Sequence, residues 1–245
     1  MTASQEPSAW RIAIPASITL AGIGFGLLSL ALAASNAYGS CLALIGAALC
    51  DMIDGRVARL TSARSKFGAE LDNLADIVSF GIAPAWLVYR WSLAPPPHEG
   101  FHPWLLLAFA FVAAGAIRLA RYATKLDDGP VKEFEGLAIP IAALIPVTLV
   151  MASHELSIEA IRQPNIMAAS LAIPAILMVG RMPMPSYKRF PNRAGQLTFY
   201  GLITGGLTLL AFQLPGGATL FGFLVSYVIM SMLRAVMATP RREPA

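Results

Sequence analysis

What most limits the fold of this sequence is a repeated apolar run, close each time to the length that crosses a bilayer. Between polar or Pro/Gly-rich breaks lie residues 12–34, 38–60, 67–91, 103–123, 136–153, 165–179, 196–214 and 218–237. A hydrocarbon core takes about 20 residues of α-helix to span. Backbone N–H and C=O groups find no water there, so the segments must satisfy them internally, as helices. Composition agrees: 56% of residues are hydrophobic and 13% charged, against about 25% charged in a soluble domain. The expectation is an all-α integral membrane protein, a polytopic bundle of about eight transmembrane helices. One transmembrane domain covers residues 12–237, with a short segment 1–11 before it and a tail 238–245 after it. The runs 136–153 and 165–179 are the shortest and contain Pro140, Pro146 and Pro174. Neighbouring helices make such prolines tolerable in a span.

An even number of spans puts both termini on one side, and the cationic residues choose which. Of the 18 lysines and arginines, all but Arg90 and Arg162 fall on one set of segments: the N-terminus, the second–third, fourth–fifth and sixth–seventh connections, the C-terminus and the adjoining helix ends. Lys and Arg concentrate on cytoplasmic loops, so both termini are expected in the cytoplasm. The net charge of +4 then belongs to membrane orientation, and no nucleic-acid partner is expected. Residues 1–9 carry no basic residue, and the apolar run after them is too long for a cleavable signal. Cys41 and Cys50 lack metal-ligand spacing and read as small buried hydrophobes. His98, His102 and His154 all fall on the outer face, away from the cationic side. Trp10 and Trp91 read as interfacial belt residues.

Within the second and third spans lie four aspartates, Asp51, Asp54, Asp72 and Asp76. The first two are i,i+3 and the last two i,i+4, so each pair shares a helix face. Asp54 precedes Ala63 by nine residues and Asp72 follows it by nine; Asp51 and Asp76 lie twelve before and thirteen after. An antiparallel hairpin about Ala63 therefore brings the pairs to one depth, near the cytoplasmic end. One charged side chain costs about 3 kcal/mol at the bilayer centre, and repulsion among four adds to that. Arg56 and Arg59 could pair with single aspartates to lock helices together, but they are too few to balance four. A pair of divalent cations would balance them, and all-carboxylate ligation suits Mg, Mn or Ca rather than zinc. Gly55 and Ala58 share the aspartate stripe and leave a hollow beside it, and Arg59 can reach back toward a phosphate.

These residues resemble the signature of the CDP-alcohol phosphotransferase family: Asp51-x-x-Asp54-Gly55-x-x-Ala58-Arg59, eight residues, Gly68, three residues, Asp72, three residues, Asp76. The match covers about a tenth of the chain and has every fixed position at the family spacing. The resemblance implies two divalent cations, Mg or Mn. Asp51, Asp54 and Asp72 would hold one, and Asp51, Asp72 and Asp76 the other. Asp76 would also be the general base for the acceptor hydroxyl. Gly55, Ala58 and Gly68 would line a cytidine pocket, with Arg59 on the CDP phosphates and Ser65 in polar contact with the nucleotide. It further implies a homodimer, a cell-membrane location, an active site facing the cytoplasm and a CDP-lipid donor.

The stretch from Asp72 to Pro84, together with Arg118-Leu119-Ala120-Arg121-Tyr122 and Phe134-Glu135-Gly136-Leu137-Ala138-Ile139-Pro140, is similar to the phosphatidylserine synthase branch. That branch usually has Phe in place of Tyr122 and Pro in place of Ala138. The implied reaction moves phosphatidyl from CDP-diacylglycerol to L-serine. Arg118 and Arg121, one turn apart, and Lys188 are candidates to bind the acceptor carboxylate or a lipid phosphate, or to anchor the bundle at the interface. Ser79-Phe80-Gly81 either shapes the acceptor pocket or kinks the third span. Other acceptors (glycerol 3-phosphate, inositol phosphate, choline) keep the same chemistry. A cation transporter or proton relay would instead spread its carboxylates across the bilayer.

Overall fold

Two helices in a tight antiparallel pair begin the chain: α1 (Ala9–Leu32) and α2 (Ala37–Leu60). Asn36 starts α2 by accepting a 2.8 Å hydrogen bond from the Gly39 N–H on its side-chain oxygen, as an N-cap does. The computed structural model describes residues 9–61, 65–94, 102–127, 134–180, 183–184 and 216–237. Ser65 caps α3 (Lys66–Asp76) in the same way. The rod then runs on without a break through a π-helical turn, Ile77–Ile82, through α4 (Ala83–Val88), and through a second π-helical turn, Tyr89–Leu93. After it come α5 (Trp104–Asp127), β1 (Phe134–Glu135), α6 (Ile139–Leu156), a 3-10 turn (Glu159–Arg162), α7 (Pro164–Val179), β2 (Pro183–Met184) and α8 (Gly216–Met237).

Among the described residues the fold is helical apart from β1 and β2, two residues each, paired antiparallel. Four helices are long and apolar enough to cross a membrane: Ile12–Leu32, Lys66–Leu93, Trp104–Thr124 and Ile139–Leu156. Pro164–Val179 and Gly216–Met232 are shorter apolar helices. At 24 residues α2 has the length, but Asp51, Asp54, Arg56 and Arg59 crowd its last ten positions. The expected span 196–214 and its neighbour Lys188 lie outside the described residues. The other seven expected spans each coincide with helix.

α1 packs along α2, α6 along α8, and α5 along α7. Their common core holds Leu44, Phe80, Leu87, Phe111, Ile139, Met167 and Leu171, each no more than 2% exposed. Leu27, Phe109, Ile173 and Ile176 instead point outward, as side chains facing lipid tails do. The bundle has two distinct ends. At one, which we call the acidic end, α2 stops and α3 starts. The C-termini of α5 and α7 lie together at one end of their pair, where the Arg121 Nη1 donates to the Val179 carbonyl at 3.0 Å. At the opposite end α6 finishes and α8 begins, with the Gly217 N–H donating to Glu155.

Two sequence expectations are corrected. The fifth span was expected from residue 136, but α6 starts at Ile139. Gly136 has φ +77°, and a Cβ there would lie 2.7 Å from the Met178 carbonyl oxygen. Glycine therefore turns the chain out of β1 against the end of α7 before a helix can form. The third span, in which Ser79-Phe80-Gly81 was expected to shape the pocket or kink the helix, is interrupted twice by π-helical turns. Trp91 is not an interfacial belt residue. It is only 9% exposed, packed against His154 and covered by the Arg162 guanidinium at 5.7 Å.

Candidate active site

Hairpin geometry decides where the acids meet. α2 runs into the turn and α3 runs out of it, so residues equally far from the turn face one another. One carboxylate oxygen from each of Asp51, Asp72 and Asp76 lies within 4.8 Å of the others. All three side chains are half-buried, and no hydrogen bond among the described residues is found on them. At that separation three carboxylates repel strongly in a medium of low dielectric. A counter-charge among them, or protonation, relieves that repulsion. Hard oxygen donors converging from two helices could hold a divalent cation.

Asp54 differs from the other three. It is 5% exposed, lines the same cavity, and stands outside the tight trio. Its Oδ2 accepts a 2.6 Å hydrogen bond from the Thr19 hydroxyl of α1. A third helix therefore forms one wall of the site, which the sequence had suggested was built on the hairpin alone. Thr19 and Gly22 of α1, Ala47 of α2, and Ala75, Ser79 and Phe80 of the third rod complete the cavity around the four acids. Ser79 donates to the Gly22 carbonyl at 3.1 Å. α1 can come this close because Gly26 lacks a side chain: a Cβ there would lie 2.9 Å from the Ser79 Oγ. Ser79 and Phe80 thus belong both to the pocket wall and to the π-helical turn directly after Asp76. Such turns recur at functional sites because they re-aim side chains.

Other expected site residues lie toward the turn. A Cβ on Gly55 would meet nothing within 4 Å, so the hollow beside the acids is open there. Ala58 is half-buried and Arg59 exposed. Ser65 Oγ accepts from the Gly68 N–H at 3.0 Å as the N-cap of α3, and its own O–H remains able to donate. Of the two arginines on α5, Arg121 is engaged with the Val179 carbonyl and caps α7. Arg118 is half-buried, and its charge acts on Asp76. Its Nε is buried without a hydrogen-bond partner among the described residues. The histidines stay away from the acids where they are described: His154 packs on Trp91 and Tyr38 at the opposite end, and His98 lies outside the described residues. Cys41 and Cys50 are free thiols, the first buried.

A family model described as CDP-alcohol phosphatidyltransferase matches residues 12–182, which hold all four aspartates and the whole cavity wall. The chain belongs to the CDP-alcohol phosphatidyltransferase family. A CDP-diacylglycerol–serine O-phosphatidyltransferase of Helicobacter pylori is 31% identical over 176 residues, 71% of this chain and 73% of the relative. The enzyme of that name from Bacillus subtilis is 29% identical over 177 residues, 72% of this chain and 92% of its own. One from Methanocaldococcus jannaschii is 45% identical over 100 residues, 40% of this chain and 43% of its own.

As a CDP-alcohol phosphatidyltransferase, the chain acts on a phosphate-linked donor, and Gly55 and Arg59 lie on α2 between the acids and the turn. Sequence reasoning missed Thr19, Gly22 and Ala47. The one available signal was a hydroxyl in an otherwise apolar span, followed by small residues at Gly22 and Gly26. Small residues four apart allow close helix approach in membranes.

Proposed function

We propose that this chain transfers the phosphatidyl group of CDP-diacylglycerol to the hydroxyl of L-serine, releasing phosphatidylserine and CMP. The observation that carries the reading is the convergence of Asp51, Asp72 and Asp76 within 4.8 Å, at a cavity that Asp54 also lines. The names of the relatives favour serine as the acceptor.

The residues divide the work as follows. Asp51, Asp54 and Asp72 would hold one Mg or Mn ion and Asp51, Asp72 and Asp76 a second, and these ions would screen the pyrophosphate and stabilise its developing charge. Gly55, Ala58 and Gly68 leave room for the cytidine, with Ser65 able to donate to it. Arg59 meets the donor phosphates, where a planar guanidinium binds in a fork. Asp76 takes the proton of the serine hydroxyl. The hydroxyl oxygen forms a bond to the phosphorus that carries diacylglycerol. The bond from that phosphorus to the bridging oxygen breaks, and CMP leaves with the electron pair. Arg118, unsatisfied at Nε and acting on Asp76, is better suited than Arg121 to the serine carboxylate.

The same reading includes eight spans, both termini and the site at the cytoplasmic face of the cell membrane, and a homodimer as the resemblance implies. Two observations support the topology. α7 ends on the side where Arg121 holds it, whereas α8 begins beside Glu155, as one more crossing over 196–214 requires. The cationic residues also crowd the segments next to the acids.

The test is an acceptor panel. Purified protein in lipid is given CDP-diacylglycerol and, one at a time, labelled serine, glycerol 3-phosphate, inositol phosphate and choline. Labelled lipid and stoichiometric CMP are expected with serine. Label entering lipid only from glycerol 3-phosphate would end the serine assignment while leaving the reaction class intact.

A further inference from the structure

We propose that Thr19 is a positioning residue for the metal site: its hydroxyl, brought from α1, orients Asp54 toward the cation that Asp54 shares with Asp51 and Asp72. This rests on the functional reading above and adds to it a residue outside the signature hairpin.

Thr19 is 6% exposed and Asp54 5% exposed, so neither side chain can exchange its partner for water. The Thr19 hydroxyl has one proton and two acceptors in reach, the Pro15 carbonyl at 3.0 Å and Asp54 Oδ2 at 2.6 Å. The shorter contact falls in the range of O–H···O⁻ bonds, which are roughly twice as strong as neutral ones. The longer one is the ordinary back-bond that a threonine makes within a helix. Given both choices, the proton favours the carboxylate. The Thr19 hydroxyl then fixes Asp54 Oδ2, and with it the orientation of the carboxylate, at the rim of a cavity whose other acids form the tight trio. An outer hydrogen bond that fixes a ligating carboxylate typically matters about 10- to 100-fold in metal affinity.

Thr19 also lies on the helix whose closeness to the site depends on Gly26 and on the Ser79–Gly22 hydrogen bond. The contact therefore links the position of α1 to the geometry of the ligand set. Replacing the hydroxyl by a methyl of the same shape removes the hydrogen bond and keeps the packing.

The experiment uses the full chain in nanodiscs and Mn²⁺ as the probe, with free ion followed by its paramagnetic resonance signal. Wild type, Thr19→Val and Thr19→Ser are compared. The expected result is saturable binding by wild type, affinity weakened about tenfold in Thr19→Val, and near-wild-type affinity in Thr19→Ser. The unfolding temperature without metal should fall by only about a few degrees in Thr19→Val, as for one hydrogen bond lost from a buried carboxylate. In assays of transfer, the Mg²⁺ concentration for half-maximal rate should rise by the same factor in Thr19→Val, with most of kcat recovered at saturating Mg²⁺. A packing role would lower kcat without that recovery. If Thr19→Val does not fold, Thr19→Ala carries the same expectation. Mn²⁺ affinity within twofold of wild type in the folded variant lacking the hydroxyl overturns the proposal, as does equal loss in Thr19→Ser. No saturable Mn²⁺ binding by wild type would instead bring down the functional reading beneath it.

Discussion

The two ends of this bundle treat their charged side chains in opposite ways. At the end where α6 meets α8, Glu155 accepts from the Tyr38 hydroxyl at 3.2 Å and from the Gly217 N–H at 2.6 Å. Arg162 donates from Nε to the Trp91 carbonyl at 2.9 Å and stacks over the same tryptophan. Ser92 closes the group by donating to the Arg162 carbonyl. Glu155 and Arg162 thus have partners within the protein, and the result is a clamp. At the acidic end, three carboxylates face one another, and Thr19 serves only the fourth. Protein packing alone does not explain that second arrangement, since removing a repulsive charge would improve it. Stability given up at one end and secured at the other is the mark of a site built for a ligand.

Substitutions at the two ends should therefore move different quantities. The largest effect is expected for Asp76→Asn. Transfer should fall about a thousandfold or more, as for loss of a general base, while CDP-lipid binding stays largely intact and thermal stability is unchanged or higher. Turnover, CDP-lipid binding and thermal unfolding of the purified variant check all three; a destabilised Asp76→Asn would make the acidic cluster a structural clamp like its counterpart. Glu155→Ala comes next. It strips the carboxylate from the N-terminus of α8 and from Tyr38, at a cost of about 1–2 kcal/mol. A lower unfolding temperature with unchanged Mg²⁺ dependence is the expected outcome. Arg121→Gln should have the smallest effect. It removes one hydrogen bond to the end of α7, worth about 1 kcal/mol or less. Transfer kinetics with serine should barely change. A large rise in KM for serine would mean that Arg121, rather than Arg118, meets the acceptor.

Legibility in the sequence followed the same division. The acidic hairpin could be read directly, because Asp51, Asp54, Asp72 and Asp76 are spaced at helical intervals and set evenly about the turn. Any antiparallel pairing of the two helices brings them together. The spans could be read for a related reason: the bilayer imposes one length and one secondary structure on each. What could not be read depended on contacts between segments far apart in sequence. Thr19 is one hydroxyl in an apolar run, no different locally from Ser29, which merely pairs with Ser40 across the α1–α2 interface. The first π-helical turn lies where the third rod packs against α1, α5 and α6, and nothing in Ile77–Ile82 alone requires a wider turn. Trp91 looked like a belt residue until Arg162, some seventy residues on, was found above it.

The central claim is that the α2–α3 hairpin gathers its carboxylates around divalent cations. Anomalous diffraction at the manganese edge, from crystals of the full chain grown in lipid with Mn²⁺, tests it most directly. The account expects peaks among Asp51, Asp54, Asp72 and Asp76 in wild type, and their loss from Asp72→Asn crystals grown alongside. Wild-type crystals with the trio intact and no manganese among those side chains would contradict it.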